Sequence, residues 1–390
     1  MSNATGRKLK EVRKRRGLSQ KELASASDVS LSLIRKLEQG DYGVPRLESM
    51  RKLAVALGVP TMRLVDADEE EAPTDTPAVQ WDSVRAALEN PAGVAGPDDD
   101  GPTLAGVWSA LQGATPLYDR DQYAELARVL PSLLRDSEAL GTDGRPVRTR
   151  VLRLAGALMI QTNQYHAADI ALTRSIEEAD DQQEAAAAVN SQCWLLLRQG
   201  KLDSALQLAT GWADATEPRI SRAKPSELST WGLLCLRVSA SAVRNNQKET
   251  ATDALKFAKA AASALGREYA SKADSLRTFG PTTVHLMRTE NYGIMDSPDM
   301  VLRLAERTPL YPLRPNGRNQ NRHLLDIAHA HTKKGDFAEA FTKLEQVRAT
   351  NPDWLSHQRY ARDVLTLVLN GRRILTPEMR AMADFLSIPL

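Results

Sequence analysis

A short run of side chains near the start of the chain has the chemistry needed to contact nucleic acid. Leu31, Ser32 and Lys36 lie close together in the sequence. A lysine ammonium can donate to the acceptors of guanine, a serine hydroxyl can donate or accept, and a leucine can contact the methyl group of thymine. For Arg35 the alternative is a solvated position on a helix. Side chains suited to bind phosphate lie nearby: Gln20, Arg35, Gln39 and Arg46.

These side chains would have to be held by two short helices joined by a tight turn. Ser19–Glu22 reads S-Q-K-E, the pattern of a capping box, and predicts that a helix starts there. Asp28–Ser30 then interrupts the helical pattern, and its serine is placed to cap a second helix. In that helix Ile34 and Leu37 lie three residues apart on one face, and Gly40 can end it. The pattern is typical of a helix-turn-helix.

This ordered motif resembles the phage-repressor, or XRE, class of helix-turn-helix domain. The resemblance rests on Gly17-Leu-Ser-Gln-x-Glu-Leu-Ala24, Val29-Ser30, Ile34-x-x-Leu37-Glu38-x-Gly40, Pro45 and the helix 46–57 followed by Gly58-Val59. It implies an all-α domain of five helices over residues 1–65 that binds double-stranded DNA, with the second helix of the motif in the major groove. It also implies an ion pair between Arg13 and Glu38. Leu31 stands where a polar base-reading residue is common, so the operator sequence is not implied.

Charge is unevenly distributed along the chain. Residues 1–65 contain 14 Lys and Arg against 6 Asp and Glu, residues 66–103 contain 1 against 11, and the remainder contains 36 against 32. The resulting excess of +8 in the first segment coincides with the helix-turn-helix pattern. An excess of this sign over so short a domain supplies the non-specific attraction to phosphate that DNA binding needs.

Residues 66–103 have the composition of a linker. They are acidic and rich in proline. Within them Trp81, Val84 and Leu88 recur at helical spacing and predict a short helix that docks on a neighbouring domain. We interpret the acidic residues as a solvated spacer, and the competing hypothesis is that they compete with DNA for the basic surface.

Residues 104–390 are predicted to form an all-helical repeat domain, because Ala and Leu recur at three- and four-residue spacing with almost no strand-like alternation. The segment Leu324–Pro352 resembles a tetratricopeptide repeat, with Gly335 and Asp336 in its turn. Five weaker copies place turns at residues 121, 163, 200, 246 and 296, which makes six turns with the one at residue 335. Their spacings of 37 to 50 residues exceed the standard repeat of about 34 residues. We therefore expect an irregular, tetratricopeptide-like right-handed α-solenoid.

The first helices of these hairpins should line a concave surface, where solenoids bind their ligands. Arginines dominate the side chains placed there, which suggests an anionic ligand such as a peptide carboxylate or a phosphorylated metabolite. The alternative is a solvated surface with intramolecular ion pairs. The predicted ligand-binding residues are Arg150, Arg153, Asn190, Trp194, Arg198, Arg244, Glu290, Arg322 and His329.

No catalytic or metal-binding pattern stands out. The spacing of His323, His329 and His331 scatters them around one helix, which argues against a metal site. The chain has no glycine-rich phosphate loop and no G-x-S-x-G motif, so we expect no catalytic residue and no cofactor. Cys193 and Cys235 fall in apolar helical patterns and are expected to be core thiols in a reducing cytoplasm. Neither a signal peptide nor a membrane span is predicted.

Together, these two parts resemble the cytoplasmic regulators of Gram-positive and actinomycete bacteria. Phe279-Gly-Pro-Thr-Thr-Val284 is similar to an F-G-P-T-x-V motif of actinomycete members. The resemblance implies a dimeric, sequence-specific transcription regulator whose repeats bind a peptide or small-molecule signal, as in quorum sensing. A dimer is also expected because one domain reads few base pairs, so two should read half-sites about 34 Å apart or a multiple of that. Residues 354–390 would cap the solenoid or form the dimer.

Two other functions stay open at this point. The protein could be a DNA-anchored adaptor whose repeats recruit a protein partner, or an antitoxin-like regulator. A closed solenoid with a pocket would favour a small signal, and a shallow open arc would favour a protein helix.

Overall fold

The computed structural model describes residues 4–40, 45–65, 81–90, 101–308 and 317–390. Within these ranges the chain is helical and forms no β-strand, apart from an isolated bridge between Tyr269 and Phe279. The all-α fold predicted from the sequence is therefore confirmed. Over the same ranges, no helix combines the length and the apolar character needed to cross a bilayer.

The N-terminal domain packs short helices around an apolar core. Leu9, Leu23 and Ile34 are fully buried there. The first and third helices approach so closely that a Cβ atom on Gly6 would lie 2.0 Å from the carbonyl oxygen of Leu37. The fifth helix of the predicted domain is a single 3-10 turn. The elements are α1 (Ala4–Arg15), α2 (Gln20–Ser27), α3 (Leu31–Gln39), α4 (Leu47–Leu57) and the 3-10 turn Thr61–Arg63.

The short helix predicted around Trp81 is α5 (Asp82–Glu89), and it packs on the repeats. Trp81 is fully buried, and its ring meets the His357 ring edge-on with the ring centroids 6.1 Å apart. Nη1 of Arg85 donates to Oε1 of Gln164 at 2.8 Å. The remainder of the predicted linker, residues 66–80 and 91–100, lies outside the described residues.

Six helical hairpins follow α5 within the part of the chain that the structure describes. Their paired helices are α6 (Leu104–Asp119) and α7 (Tyr123–Ala139), α8 (Arg145–Gln161) and α9 (Tyr165–Glu177), α10 (Gln182–Arg198) and α11 (Leu202–Ala215), α12 (Pro225–Arg244) and α13 (Lys248–Leu265), α14 (Pro281–Ile294) and α15 (Pro298–Ala305), and α16 (Gly317–Lys334) and α17 (Phe337–Thr350). Small side chains such as Ala155, Ala168 and Ala258 are fully buried where helices pack together. The arrangement is that of a helical solenoid.

The six hairpin turns share one backbone geometry. In each, one residue adopts a left-handed conformation with φ between 57° and 82°: Asp121, Asn163, Gly200, Asn246, Asp296 and Gly335. Its N–H donates to the carbonyl three residues earlier, and the next N–H donates to the carbonyl five residues earlier. Gly, Asn and Asp tolerate this conformation better than other residues do. The six predicted turn positions are confirmed.

The first and sixth hairpins contact each other. Nη1 of Arg318 donates to the carbonyl of Tyr118 at 2.6 Å and to Oδ1 of Asp121 at 3.1 Å, and its guanidinium lies 4.0 Å from the ring centroid of Tyr118. Nδ2 of Asn351 donates to Oδ2 of Asp121 at 2.9 Å. We call Tyr118, Asp119, Asp121, Arg318 and Asn351 the closing cluster. Through it, the solenoid closes on itself.

A long connection between α13 and α14 explains the F-G-P-T motif. The buried ring of Phe279 occupies a notch that only glycine allows, because a Cβ atom on Gly232 would lie 2.0 Å from the ring. The carboxylate of Glu268 accepts the N–H of Thr282 and the hydroxyl of Thr283, both at 2.7 Å. It thereby caps the start of α14.

The C-terminal segment covers the last hairpin. Its helices are α18 (Pro352–Ser356), α19 (Arg359–Asn370) and α20 (Pro377–Phe385). Val364 and Met382 are buried in the same apolar core as Leu325 and Leu344 of the sixth hairpin. This segment is a terminal cap, one of the two roles predicted for it.

Candidate nucleic-acid interface

The predicted caps hold the helix-turn-helix in place. The Glu22 N–H donates to Oγ of Ser19 at 3.1 Å, and the Ser19 N–H donates to the Glu22 carboxylate at 2.7 Å, which completes the capping box. Ser30 accepts the Leu33 N–H at 3.2 Å and so caps α3. Asp28 makes the left-handed bend between the helices with φ of 53°.

Helix α3 presents one polar surface. Ser32, Arg35, Lys36 and Gln39 are exposed, whereas Ile34 and Leu37 on the opposite side are buried. Their spacing of three, four and seven residues places the four exposed side chains on one face. Leu31 is partly buried at the start of the helix. We call residues 31, 32, 35, 36 and 39 the α3 surface, which brings together five of the seven residues predicted to contact DNA.

A buried ion pair fixes α3 against α1, as the resemblance implied. Nε and Nη2 of Arg13 donate to the Glu38 carboxylate at 2.6 and 2.8 Å, and Nη1 of Arg13 donates to the carbonyl of Leu18 at 2.7 Å. Burial opposes ionisation of Glu38, but the hydrogen bonds from Arg13 and Gln20 lower the pKa of Glu38 below its ordinary value. The pair stays charged at neutral pH.

The other two predicted phosphate contacts have partners within the protein. Nε2 of Gln20 donates to the Glu38 carboxylate at 2.7 Å, so this side chain also holds α2 to α3. Arg46 forms an ion pair with Asp363 of α19 at 3.0 Å. The Arg46 side chain is 59% exposed in this pair, and a guanidinium has five N–H donors, so Arg46 can contact a phosphate while it pairs with Asp363.

The N-terminal domain rests on the turn ends of the repeats. Oγ1 of Thr61 donates to the carbonyl of Arg244 at 2.9 Å, and the Met62 N–H donates to Oδ1 of Asn245 at 3.1 Å. Nδ2 of Asn246 donates to the carbonyl of Val59 at 3.4 Å. These contacts are made by residues 59–62 at the end of the domain. The repeats therefore do not cover the α3 surface, whose polar side chains remain exposed to solvent.

Charges on α4 also face the repeats. Burial opposes ionisation of Asp296, yet Lys333 and Lys52 of α4 lower the pKa of Asp296 below its ordinary value. Arg51 is partly buried nearby, its Nε has no hydrogen-bond partner, and burial lowers its pKa. The contact is therefore polar, which is typical of interfaces that can rearrange.

Four of the five predicted ligand-binding arginines are held by carboxylates of the protein. Arg150 donates to Oε1 of Glu184 through Nε at 2.9 Å, and Nη1 of Arg153 donates to Oε2 of the same carboxylate at 3.2 Å. Arg150 also lies 4.9 Å from the ring centroid of Trp108. Arg153 is only 1% exposed, so a ligand could reach it only by displacing its surroundings.

A second network surrounds Glu290. Arg244 donates to its carboxylate, Arg322 lies 3.5 Å from it, and Nε of Arg322 donates to Asp326 at 3.2 Å. Burial opposes ionisation of Glu290, but Arg322 and Arg244 lower its pKa to about 2. The ionised carboxylate of Glu290 therefore neutralises Arg244 and Arg322, two of the arginines that were predicted to bind an anionic ligand.

The remaining predicted ligand residues are also engaged. Oδ1 of Asn190 accepts Nε of Arg237 at 2.6 Å, and Nη2 of Arg198 donates to Asn163 at 3.0 Å. Trp194 is partly buried against the main core. The centroid of the His329 ring lies 5.6 Å from that of the Tyr360 ring. Burial lowers the pKa of His329. Intramolecular pairing, the alternative weighed for this surface, describes these contacts best.

Arg237 was not among the residues predicted from the sequence to bind a ligand. Arg237 lies on α12 seven residues before Arg244, which is two helical turns. The spacing therefore places Arg237 on the same face as the predicted Arg244. Among the described residues no carboxylate hydrogen-bonds to it, and burial lowers its pKa to about 10. Its Nε contact with Asn190 ties α12 to α10.

Cys193 and Cys235 lie in the repeat core, as predicted. Burial raises the pKa of each thiol to about 12. Because the thiolate is the nucleophile, we expect neither cysteine of the folded protein to react with a thiol-specific disulfide reagent near neutral pH. Both should react once denaturant unfolds the chain. Rapid reaction of either thiol in the native protein, followed by absorbance, would contradict the buried placement.

The comparisons with known proteins concern the N-terminal domain. Residues 9–64 match the family model described as helix-turn-helix. A stretch of 62 residues is 39% identical to an uncharacterized HTH-type transcriptional regulator, RghRB, of Bacillus subtilis strain 168, and it covers 16% of this chain and 45% of that protein. The chain thus spans less than half the length of that relative. No solved structure matches the chain. The N-terminal part of the chain carries a helix-turn-helix domain similar to that of a transcription regulator.

Proposed function

We propose that this protein is a sequence-specific DNA-binding transcription regulator. The observation that carries the proposal is the α3 surface, on which two cations and two polar side chains are exposed on one face of a capped helix. The net charge of +8 over residues 1–65 adds attraction to phosphate. The match of residues 9–64 to the helix-turn-helix family supports the same function.

Each residue of the surface has a proposed role. Lys36 donates to guanine, Ser32 contacts either base type, and Leu31 contacts a thymine methyl. The phosphate contacts are Gln20, Arg35, Gln39 and Arg46, the last of which also pairs with Asp363. Residues 1–65 form the DNA-binding part, residues 66–103 the linker and residues 104–390 the part that regulates it.

The regulator is proposed to act as a homodimer. Two copies of α3 then read two half-sites about 34 Å apart or a multiple of that distance. Sedimentation of the protein with and without operator DNA tests this, and a 1:1 complex with one half-site as the tightest species would oppose it.

The repeats are proposed to bind a signalling ligand that changes DNA affinity. Contact between the first and sixth hairpins supports a small ligand over a protein helix, because a closed solenoid leaves no open arc. A DNA-anchored adaptor and an antitoxin-like regulator are the other candidates. The contacts of the repeats favour neither of these two.

Binding of the protein to DNA from upstream of its own gene, measured across a salt series, tests the proposed function. The Lys36→Ala variant should lose about 1–3 kcal/mol of specific binding and discriminate less at one base pair. The Arg35→Ala variant should weaken binding to all sequences and reduce the salt slope by about one.

The matched control is Lys272→Ala, which removes the same charge from an exposed position in the repeats. Its affinity should equal that of the wild type. If the wild type binds this DNA no better than random DNA under all salt conditions, with or without repeat ligands, the proposal fails.

A further inference from the structure

The repeats contain a groove between α13 and α14, away from the concave residues predicted to bind a ligand. Its cavity volume is about 430 Å³. Much of its wall is apolar, with Val243, Leu255, Val284 and Met295 among the lining side chains. A groove of this size and character suits a small molecule with an apolar body.

Cations surround this apolar wall. Lys248, Lys256, Lys259 and Arg288 line the groove, and no described residue that lines it is acidic. Lys256 pairs with exposed Asp253 at 2.8 Å, whereas no carboxylate of the described residues pairs with Lys259 or Arg288. This differs from the concave arginines, each of which has an internal partner. The groove therefore has unneutralised positive charge for a ligand.

One buried polar group also lines the groove. Asn291 is only 4% exposed, and its Nδ2 donates to Oγ of Ser239 at 2.8 Å. Its Oδ1 has no hydrogen-bond partner. An unpartnered buried amide oxygen is costly, so a ligand that also carries a hydrogen-bond donor would bind more tightly than an anion with a bare apolar chain.

The groove ends at two turns that face the N-terminal domain. Lys248 directly follows the turn at Asn246, which donates to Val59, and Met295 directly precedes Asp296, which faces Lys52. A ligand between α13 and α14 would set the separation of these two turns. Its occupancy would therefore reach the docking contacts of the DNA-binding domain.

We propose that this groove binds a small amphipathic anion, with its apolar chain or ring against Leu255 and Val284 and its anionic head beside Lys259 and Arg288. The inference rests on the proposed function, because it names the chemical class of the signal. Charge complementarity selects an anion, and the apolar wall excludes a purely polar metabolite.

Calorimetric titration with dodecanoate, below its micelle concentration and without DNA, tests the proposal. The wild type should bind one dodecanoate per chain saturably, and dodecyltrimethylammonium, a cation with the same chain, should not bind. The Lys259→Gln/Arg288→Gln variant should bind dodecanoate about tenfold more weakly. Thr252→Trp, which places a large ring at the exposed edge of the groove, should abolish binding.

All three substituted positions are exposed, so these variants should unfold at the wild-type temperature. Lys272→Gln, which removes a cation outside the groove, is the control and should bind as the wild type does. Absence of saturable binding, equal binding of the two surfactants, or unchanged binding by Thr252→Trp would each overturn the site. Because no DNA is present, a failure here is distinct from a failure of the proposed DNA binding.

Discussion

Replacement of Glu38 by alanine is expected to destabilise the N-terminal domain by about 3–5 kcal/mol and to abolish specific DNA binding. The carboxylate of Glu38 accepts from Arg13 and Gln20, and the side chain of Glu38 is 2% exposed. Its removal leaves the Arg13 guanidinium buried without a counter-charge. Hydrogen exchange of peptides from α1 to α3 would detect the opening, and DNA affinity would be measured in parallel.

Glu11→Ala is the matched control, because Glu11 also pairs with an arginine of α1 but at an exposed position. Exposed pairs contribute about 0–1 kcal/mol, so this variant should exchange and bind as the wild type does. Equal protection of α1 to α3 in the two variants would refute the structural role of the Arg13–Glu38 pair.

The pH dependence of the stability of the N-terminal domain gives a second test of the role of Glu38. Its pKa is lowered in the folded domain, so the stability contributed by its ionised form is present above its ordinary pKa and is lost as the pH falls through the lowered value. The Glu38→Gln variant cannot titrate at this site. Its stability should therefore show less dependence on pH in that acidic window than the stability of the wild type does.

Replacement of Arg318 by alanine should open the contact between the first and sixth hairpins and cost about 3–5 kcal/mol. The closing cluster would then hold two carboxylates, Asp119 and Asp121, without their buried cation. Chemical denaturation would measure the loss, and hydrogen exchange near Tyr118 would locate it. Arg135→Ala, at an exposed position on α7, is the control and should change stability by about 0.5 kcal/mol or less.

The loss in Arg318→Ala should shrink at mildly acidic pH. Burial, opposed by Arg318, raises the pKa of Asp119 to about 6. A carboxyl whose folded pKa is raised favours folding in its protonated form, and this contribution is lost as the pH rises through the folded pKa. Without Arg318 the pKa rises further. An equal loss at about pH 5 and pH 8 would show that the two carboxylates do not carry the effect.

Local signals in the sequence predicted much of the fold. The capping box at Ser19–Glu22 and the six turn positions were identified correctly, because helix ends and left-handed bends depend on a few neighbouring residues. The buried partners Arg13 and Glu38 followed from the resemblance to a helix-turn-helix family. These features involve either short separations along the chain or a known motif.

Contacts between distant parts of the chain could not be predicted from local sequence patterns. The pairing of Arg318 with Asp121 joins residues 197 apart, and the docking of Thr61 on Arg244 joins residues 183 apart. Helical spacing placed Glu290 on the inner surface beside the arginines and left intramolecular pairing open, but it did not place Glu184 within reach of Arg150 and Arg153. The groove between α13 and α14 depends on the separation of two helices, which side-chain periodicity does not encode.

The docking of the N-terminal domain links repeats that are not neighbours along the solenoid. In an ordinary solenoid each repeat touches only its neighbours, so the ends can fray and the array can bend like a spring. Here the N-terminal domain contacts the fourth hairpin through Asn245 and Asn246, faces the fifth through Asp296, and reaches the C-terminal cap through Asp363. It joins units that are not adjacent, so we expect that bending of the array would break these contacts and release the N-terminal domain.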